Sequence, residues 1–374
     1  MALNLLINAI HTQTGGGLVY LNSLLPELAK RTDIKVTVLY HAAAQDKIQI
    51  PDGVATRVED FPKSMLRTLV WEQLHVPAIA RKLHADAVLC IANYVPLFAP
   101  NPVQIIINNV EAGRASKGLY QKVYWSMLKL LTRLSALACP VTLTLSESVA
   151  DSYFKGIWSW VKPPVYWAPP GCPAVGVAQG KKQREQGLIF AVGDYYPHKN
   201  YVRLLAAFAG VLTTHPDARL VIAGRPLDDR TAAAMQAEIK KHVLTERVTL
   251  TGAMPHADVM GYFARCHIYV QPSLAETFGM TTVEAMASGA PCVLADKPFQ
   301  HEVAGTGAVY AKGIDTDAGI PNLTAALRSL LDDEALCIRL AQEGQQKAAA
   351  FTWAQTAERV IMALNQTSFG RRRV

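Results

Sequence analysis

The sequence predicts an α/β chain of two doubly wound, Rossmann-like domains, and three observations carry that expectation. Short apolar runs alternate with helical stretches, and the alternation restarts after a proline-rich break. The 374 residues suffice for two domains that each bury a full core. Half of the residues are hydrophobic, a globular proportion, and no internal repeat or low-complexity segment interrupts them.

In chain order, residues 3–10 read as a buried first strand, followed by Gly15-Gly16-Gly17 and an apolar helical run through Leu28. A glycine-rich turn between strand and helix lets backbone approach a ligand closely, and three glycines serve a plain tight turn equally well. Their spacing is not G-x-G-x-x-G. Residues 36–39, 87–90, 103–107 and 141–145 are further strand-like runs, and Ser146 stands where it caps the next helix. The prolines between 163 and 173 mark the boundary, giving domains 1–172 and 173–351. Residues 179–186 are polar and read as a loop. Strand-like runs then resume at 188–192, 220–223, 248–250, 267–270 and 292–295. Asn200 is placed to cap a helix through Leu212, and residues 257–265 read as another helix.

Charge and cysteine usage narrow the function classes. The formal net charge is +7, and residues 1–172 hold 16 basic and 11 acidic side chains against 21 and 19 in the remainder. No nucleic-acid-binding module accompanies the excess, so an anionic membrane face or a phosphorylated lipid acceptor accounts for the same numbers. Residues 113–138 concentrate the question. No acid occurs from 112 to 146, while Arg114, Lys117, Lys122, Lys129 and Arg133 interleave with Tyr120, Tyr124, Trp125 and several leucines. Such a helix suits peripheral contact with an anionic membrane or, equally, a surface helix with its apolar face in the core. Trp158, Trp160 and Trp167 either extend an apolar rim or pack beneath the domain boundary. The most apolar long window, 127–145, contains Lys129 and Arg133 and is broken by Pro140, so no membrane span is expected. The amino-terminal residues lack a basic segment and read as a strand in place of a signal peptide. Six scattered cysteines without C-x-x-C pairs suit reduced thiols of a cytoplasmic protein, and no metal site is expected.

The most informative stretch runs from Gln271 to Pro291. It follows one strand-like run and precedes another, and Pro272 and Gly279 punctuate a loop that gives way to a helix near Gly279 and stops at Gly289-Ala290-Pro291. Glu276 lies in the loop and Glu284 about a turn into the helix. Eight residues span roughly 12 Å if helical, so the two carboxylates suit opposite ends of an elongated ligand better than one atom. Between them the helix start presents unpaired N–H groups and the positive end of its dipole, a setting for phosphate.

With Pro272-Ser273, Phe278-Gly279, Glu284-Ala285-Met286 and Gly289-x-Pro291 in one register, this stretch resembles the E-x7-E signature of retaining glycosyltransferases of the GT-B fold, family 4 (glycosyl transferases group 1). The resemblance covers nearly the whole chain, most strongly residues 188–309. It implies two Rossmann-like domains facing across a cleft, with residues 352–374 returning as a crossover helix to the first. It also implies a nucleotide-sugar donor, a glycan or lipid-linked acceptor, retention of anomeric configuration, and no metal or other cofactor. By the same register Glu276 binds donor-sugar hydroxyls, Phe278 and Gly279 shape that pocket, Met280 and Thr281 N–H groups meet phosphate, and Glu284 accepts from the ribose. Gly16 and Gly17 correspond to the family's first glycine loop. The segment Gly193 to Asn200 corresponds to its diphosphate loop, in which Lys199 offsets charge on the leaving group.

Two departures stand out. Where the family often places Arg after the glycine, this chain has Asp194, which leaves more to Lys199, with His198 or Arg225 as helpers. Where the family commonly has a His after the fourth strand, Asn108 falls at or next to that position and cannot titrate, with Glu111 nearby for acceptor orientation. The site residues are thus Glu276, Lys199 and Asn108 for chemistry and Gly16, Gly17, Gly193, Lys199, Glu276, Phe278, Gly279, Met280, Thr281 and Glu284 for the donor. The expected function is transfer of a hexosyl unit, by family frequency from GDP-mannose, in bacterial surface polysaccharide assembly, from a cytoplasmic position peripheral to the membrane. A nucleotide-sugar epimerase, a glycoside hydrolase with paired carboxylates and a non-catalytic glycan- or nucleotide-binding scaffold are the alternatives.

Overall fold

The computed structural model describes residues 2–13, 15–62, 64–107, 119–155, 159–160, 163–172 and 184–367. The chain divides into two compact units, Met1–Gly171 with Thr352–Val374, and Cys172–Phe351.

The first unit holds a seven-stranded sheet in the order β3-β2-β1-β4-β5-β6-β7, parallel throughout. Its strands are β1 (Leu3–Asn8), β2 (Ile34–His41), β3 (Ala55–Glu59), β4 (Ala87–Cys90), β5 (Pro102–Ile106), β6 (Val141–Thr144) and β7 (Val165–Trp167). Helices α1 (Gly15–Ala29), α2 (Met65–Lys82), α3 (Leu119–Ala138) and α4 (Glu147–Tyr153) cover it. The central strands β4, β5 and β6 are buried at every residue, as apolar runs covered on both faces require. The three glycines are not a turn ahead of the helix. They form the first turn of α1, and a Cβ added at Gly15 or Gly16 would meet nothing within 4 Å. Ser146 caps α4 through the Val149 N–H, as its position suggests. A last helix, α12 (Trp353–Asn365), belongs to this unit: Trp353 stands edge-on to Tyr20, Thr356 donates to the Pro169 carbonyl, and Arg31 pairs with Glu358 at 2.7 Å.

The second unit repeats the arrangement with six parallel strands in the order β10-β9-β8-β11-β12-β13. They are β8 (Glu185–Val192), β9 (Arg219–Ala223), β10 (Val248–Gly252), β11 (Cys266–Gln271), β12 (Cys292–Ala295) and β13 (Ala308–Ala311). Between and after them run α5 (Tyr201–Leu212), α6 (Asp229–Lys241), α7 (His256–Arg265), α8 (Met280–Ala287), α9 (Pro298–Ala304), α10 (Ile320–Asp332) and α11 (Glu334–Ala348), which precede α12. A core of Ile189, Phe208, Leu220, Ile268, Val293 and Leu327 joins this sheet to its helices. In such sheets ligands sit at the carboxyl ends of the strands where the order reverses, here between β8 and β11.

Several expectations need correction. Residues 185 and 186 are strand, because β8 begins at Glu185 where Arg219 pairs with it at 2.8 Å; residues 173–183 lie outside the described residues. Asn200 precedes α5 but does not cap it. Its backbone is left-handed (φ 62), and its amide donates to the Ile314 carbonyl and accepts from Arg203. On α3, Arg133 is half-buried and its Nε donates to the Tyr153 carbonyl at 2.8 Å, which ties this cation to α4. Trp167 is no apolar rim: it lies in β7, donates to the Leu145 carbonyl at 2.7 Å and carries the Arg359 guanidinium over its ring. Trp160 is exposed. Trp158, residues 113–118 of the basic segment and the terminal arginines lie outside the described residues.

Candidate functional site

At the carboxyl ends of β8 and β11 the second unit brings two loops together. Gly193, after β8, also runs in backbone contact with Gly224, which follows the neighbouring β9, so a Cβ on Gly224 would stand 2.0 Å from the Gly193 carbonyl oxygen. That approach requires glycine at position 224. From β8 the chain passes through Gly193 and a 3-10 turn (Pro197–Lys199) into α5. From β11 it runs as a loop to Gly279 and then into α8. The Leu274 N–H donates to the His198 carbonyl at 2.8 Å, which pins the second loop to the first.

This pinning places Lys199 against Glu276, Nζ to Oε1 at 2.7 Å, with both side chains about one-sixth exposed. Burial pushes the Glu276 carboxyl up, but the charge and hydrogen bond of Lys199 outweigh it and hold the carboxyl below its ordinary value. Gln271, the last residue of β11, also donates to Glu276 at 3.2 Å. The same Gln271 amide donates to Thr281, and its carbonyl oxygen accepts from Thr282 and Gln300; Tyr269 donates to Thr281 at 2.8 Å. This buried network joins β11 and α9 to the first turn of α8, so the helix start is braced from behind.

The start itself is bare. Gly279 precedes α8 in a left-handed conformation (φ 100), which favours glycine, and no side chain caps the helix. Met280 and Thr281 are therefore the first helical residues, and their N–H groups are among those a helix leaves without intrahelical partners. Phe278 is buried and stands edge-on to Phe351, supporting the loop from inside the unit. Glu284 lies one turn on, largely buried, 3.0 Å from Nε2 of His256 at the start of α7. Burial raises the Glu284 carboxyl above its ordinary value, with His256 partly offsetting it.

Asp194 does not confront an anion. It accepts from the Arg225 backbone N–H at 2.9 Å and from Nε and Nη2 of the guanidinium at 3.1 and 2.6 Å, a two-pronged clamp on a half-exposed cation. Burial acts against this carboxylate, yet Arg225 and then Lys199 hold its pKa below the ordinary value. His198, by contrast, supplies no charge at neutral pH, since burial pushes its imidazole down to about 4. Lys199 and Arg225 are thus the cations at these strand ends.

The structure brings together Gly193, Lys199, Glu276, Gly279, Met280 and Thr281. Glu284 stands on the same short helix. Gly16 and Gly17 belong to the first unit, at the start of α1. Asn108 and Glu111 lie outside the described residues. Sequence reading missed Gln271, His256 and the Asp194–Arg225 clamp, whose partners are 31 residues apart with nothing in their spacing to link them.

Residues 177–347 match the family described as Glycosyl transferases group 1. The matched residues lie within the second unit. It is 27% identical over 201 residues to D-inositol 3-phosphate glycosyltransferase of Corynebacterium glutamicum, covering 50% of this chain and 47% of that one. It is 25% identical over 260 residues to the O-antigen chain mannosyltransferase RfbU of Salmonella typhimurium, covering 67% and 69%. The chain thus spans about half the length of the first relative and about two thirds of the second. The chain also superposes on sucrose-phosphate synthase from Thermosynechococcus elongatus with TM-score 0.77 at 17% identity, covering 97% of this chain and 98% of the other, which shows the shared GT-B fold.

Proposed function

We propose that this protein is a retaining glycosyltransferase that moves a hexosyl unit from a nucleotide-diphosphate sugar to a glycan or lipid-linked acceptor. The observation that carries the reading is the Lys199–Glu276 pair beside the uncapped start of α8. The Met280 and Thr281 N–H groups and the helix dipole receive the diphosphate. Lys199 offsets the charge that grows on it as the glycosidic bond breaks. Glu276, kept ionised by Lys199, accepts from sugar hydroxyls, and Glu284 accepts from the ribose. Arg225, presented by Asp194, stands in for the arginine that the family often carries after the glycine. Two side-chain cations and a helix end supply the counter-charge, so turnover is expected to persist in EDTA. The mannosyl donor and a place in surface polysaccharide assembly are favoured by the RfbU relative's name.

The test is nucleotide release from a panel of GDP-mannose, UDP-glucose and UDP-N-acetylglucosamine in EDTA, paired with thermal shifts. One donor is expected to raise the melting temperature and to be consumed when a glycoside is added. Donor conversion without any acceptor would favour an epimerase. Binding without consumption would favour a scaffold, and cleavage of glycans with no nucleotide sugar a hydrolase.

The clamp gives a prediction with a telling sign. If Asp194 merely repelled phosphate, Asp194→Ala would tighten donor binding. As the group that presents Arg225, its loss is expected to weaken the donor Kd about fivefold, the upper range for an exposed pair. Calorimetric titration of the variant decides between the two directions.

An anionic bilayer is proposed as the surface on which a lipid-linked acceptor is met. Leu66, Val70 and Leu74 form an outward stripe on α2, Leu97 and Phe98 follow in the loop after β4, and Leu130, Leu134 and Leu137 face out of α3. Gln73 of α2 bonds the Val95 carbonyl and the Leu97 N–H, and Ser135 of α3 accepts from the Val95 N–H, so the three pieces adjoin. Exposed Arg67, Arg81, Lys82 and Lys122 accompany them, and the one acid of α2, Glu72, is buried. Apolar side chains with cations, and no exposed acid among the described residues of α2, α3 and the loop after β4, match an anionic lipid surface. No described helix is long and apolar enough to cross a membrane. Cosedimentation with phosphatidylserine-containing vesicles is expected, with loss on Leu66→Ser combined with Leu74→Ser; equal binding to pure phosphatidylcholine, or none, would contradict the charge argument.

A further inference from the structure

The first unit contains a buried ionisable cluster that the reading above does not use. Glu72, on α2, is 1% exposed, yet its carboxylate serves three donors from other elements. Oε1 accepts from the Asn8 amide at the end of β1 at 2.8 Å. Oε2 accepts from the Tyr94 hydroxyl at 2.8 Å and lies 2.6 Å from Nε2 of His11. Tyr94, in the loop after β4, also touches His11 Nε2 and stands edge-on to its ring. Burial, followed by the charge of Glu72, raises the Tyr94 hydroxyl above its ordinary value, so it remains a donor.

Position and exposure separate His11 from the rest of the cluster. It lies just beyond the carboxyl end of β1, beside β4, where the strand order of the first sheet reverses and where open α/β sheets receive ligands. Its side chain is 30% exposed while its carboxylate partner is closed off. Gly15 and Gly16, a few residues on, face open space. Burying a carboxylate costs desolvation that a neutral amide in the same place would largely avoid. What the carboxylate adds is a fixed tautomer: an acceptor at Nε2 draws the ring proton there and leaves Nδ1 as a lone-pair acceptor. Among the described residues Nδ1 has no recorded hydrogen-bond partner.

We propose that His11 Nδ1 is the hydrogen-bond acceptor for a sugar hydroxyl bound by the first unit, with Glu72 as the positioning residue that sets its tautomer. The ligand class, a hydroxyl-bearing acceptor glycoside, rests on the glycosyltransferase reading. The site itself is local to the first unit and can be tested without any donor.

The experiment is a long-range ¹H–¹⁵N spectrum of the full chain labelled with ¹⁵N-histidine, titrated with methyl α-D-mannopyranoside, with His11→Gln identifying the signal. The expected result is the Nε2–H tautomer and a glycoside-dependent shift concentrated at Nδ1. In Glu72→Gln the pinned tautomer is expected to be lost and the glycoside to bind up to about tenfold more weakly. That variant's thermal shift with nucleotide sugars, which reports on the second unit, should be unchanged. An Nδ1–H tautomer, or an Nδ1 signal that the glycoside does not move, would overturn the proposal. So would a Glu72→Gln chain that melts lower but binds glycoside as before, since that is the behaviour of a structural brace alone. Absence of nucleotide-sugar turnover in the wild type would instead sink the glycosyltransferase reading and leave the histidine spectrum to speak for the binding site.

Discussion

Replacing Glu276 by alanine is expected to lower sugar transfer by at least about 10²-fold, the scale of losing one preorganised polar contact to the reacting group. The fold should survive, because Glu276 lies in a loop whose course is fixed without its side chain, by Phe278 on Phe351 and by the Leu274 N–H on the His198 carbonyl. The change removes the charge that Lys199 faces at 2.7 Å, and Lys199, only about one-sixth exposed, is left with a buried positive charge. In the variant that cation is freer to meet a diphosphate, so nucleotide binding should hold or tighten while transfer fails. Steady-state kinetics with separate binding of nucleotide and nucleotide sugar reads the two effects apart. Transfer at the wild-type rate would remove Glu276 from the site.

The second large effect is that of Lys199→Ala. Donor affinity and turnover should both fall, together by about 10²–10³-fold, because the cation serves the ground state and still more the leaving group. Stability falls as well: Glu276 becomes a buried carboxylate without its partner, a loss of about 3–5 kcal/mol for a fully buried pair and nearer the lower end here. The sign with pH follows from the depressed Glu276 carboxyl. Its contribution is present above the carboxyl's unfolded pKa and is lost as pH falls through the lower folded value. In Lys199→Ala the depression is removed, so the variant should gain stability on mild acidification where the wild type does not. Thermal melts of both chains from neutral pH down to about pH 4, bracketing the ordinary carboxylate range, provide the check. Parallel pH profiles would show that the pair is not coupled.

The buried framework was the legible part of the fold. Strands such as β4 and β12 are apolar at each position because both faces are covered, and their bounds fell where the sequence placed them. The edge strand β3 (sequence ATRVE) escaped notice because its exposed side carries polar residues, and the three-residue β7 is too short for any pattern to show. β13, four residues long, was passed over as well. Asn200 misled for another reason. Asparagine favours both helix caps and left-handed turns, and packing against the Ile314 carbonyl chose the turn.

At the candidate site, local chemistry was readable and pairing was not. Proline, glycine and two glutamates in register announce a loop that opens into a helix, and the loop and helix are there. That Asp194 holds Arg225, that His256 meets Glu284, and that Glu72 collects Asn8, Tyr94 and His11 depends on strands coming side by side in the sheet. Spacing along the chain does not encode those meetings. His198 shows the converse limit: a histidine beside a lysine reads as extra positive charge, while its burial keeps it neutral.

Donor recognition in the proposed reaction rests on the amino end of α8 receiving a diphosphate. Amide ¹H–¹⁵N shifts and hydrogen exchange at Met280 and Thr281, followed as GDP and UDP are added, test it most directly. Large downfield shifts and slowed exchange are expected at those two amides with at least one nucleotide, diminished in Lys199→Ala. Saturating nucleotide that leaves both amides unmoved while shifting others would contradict it.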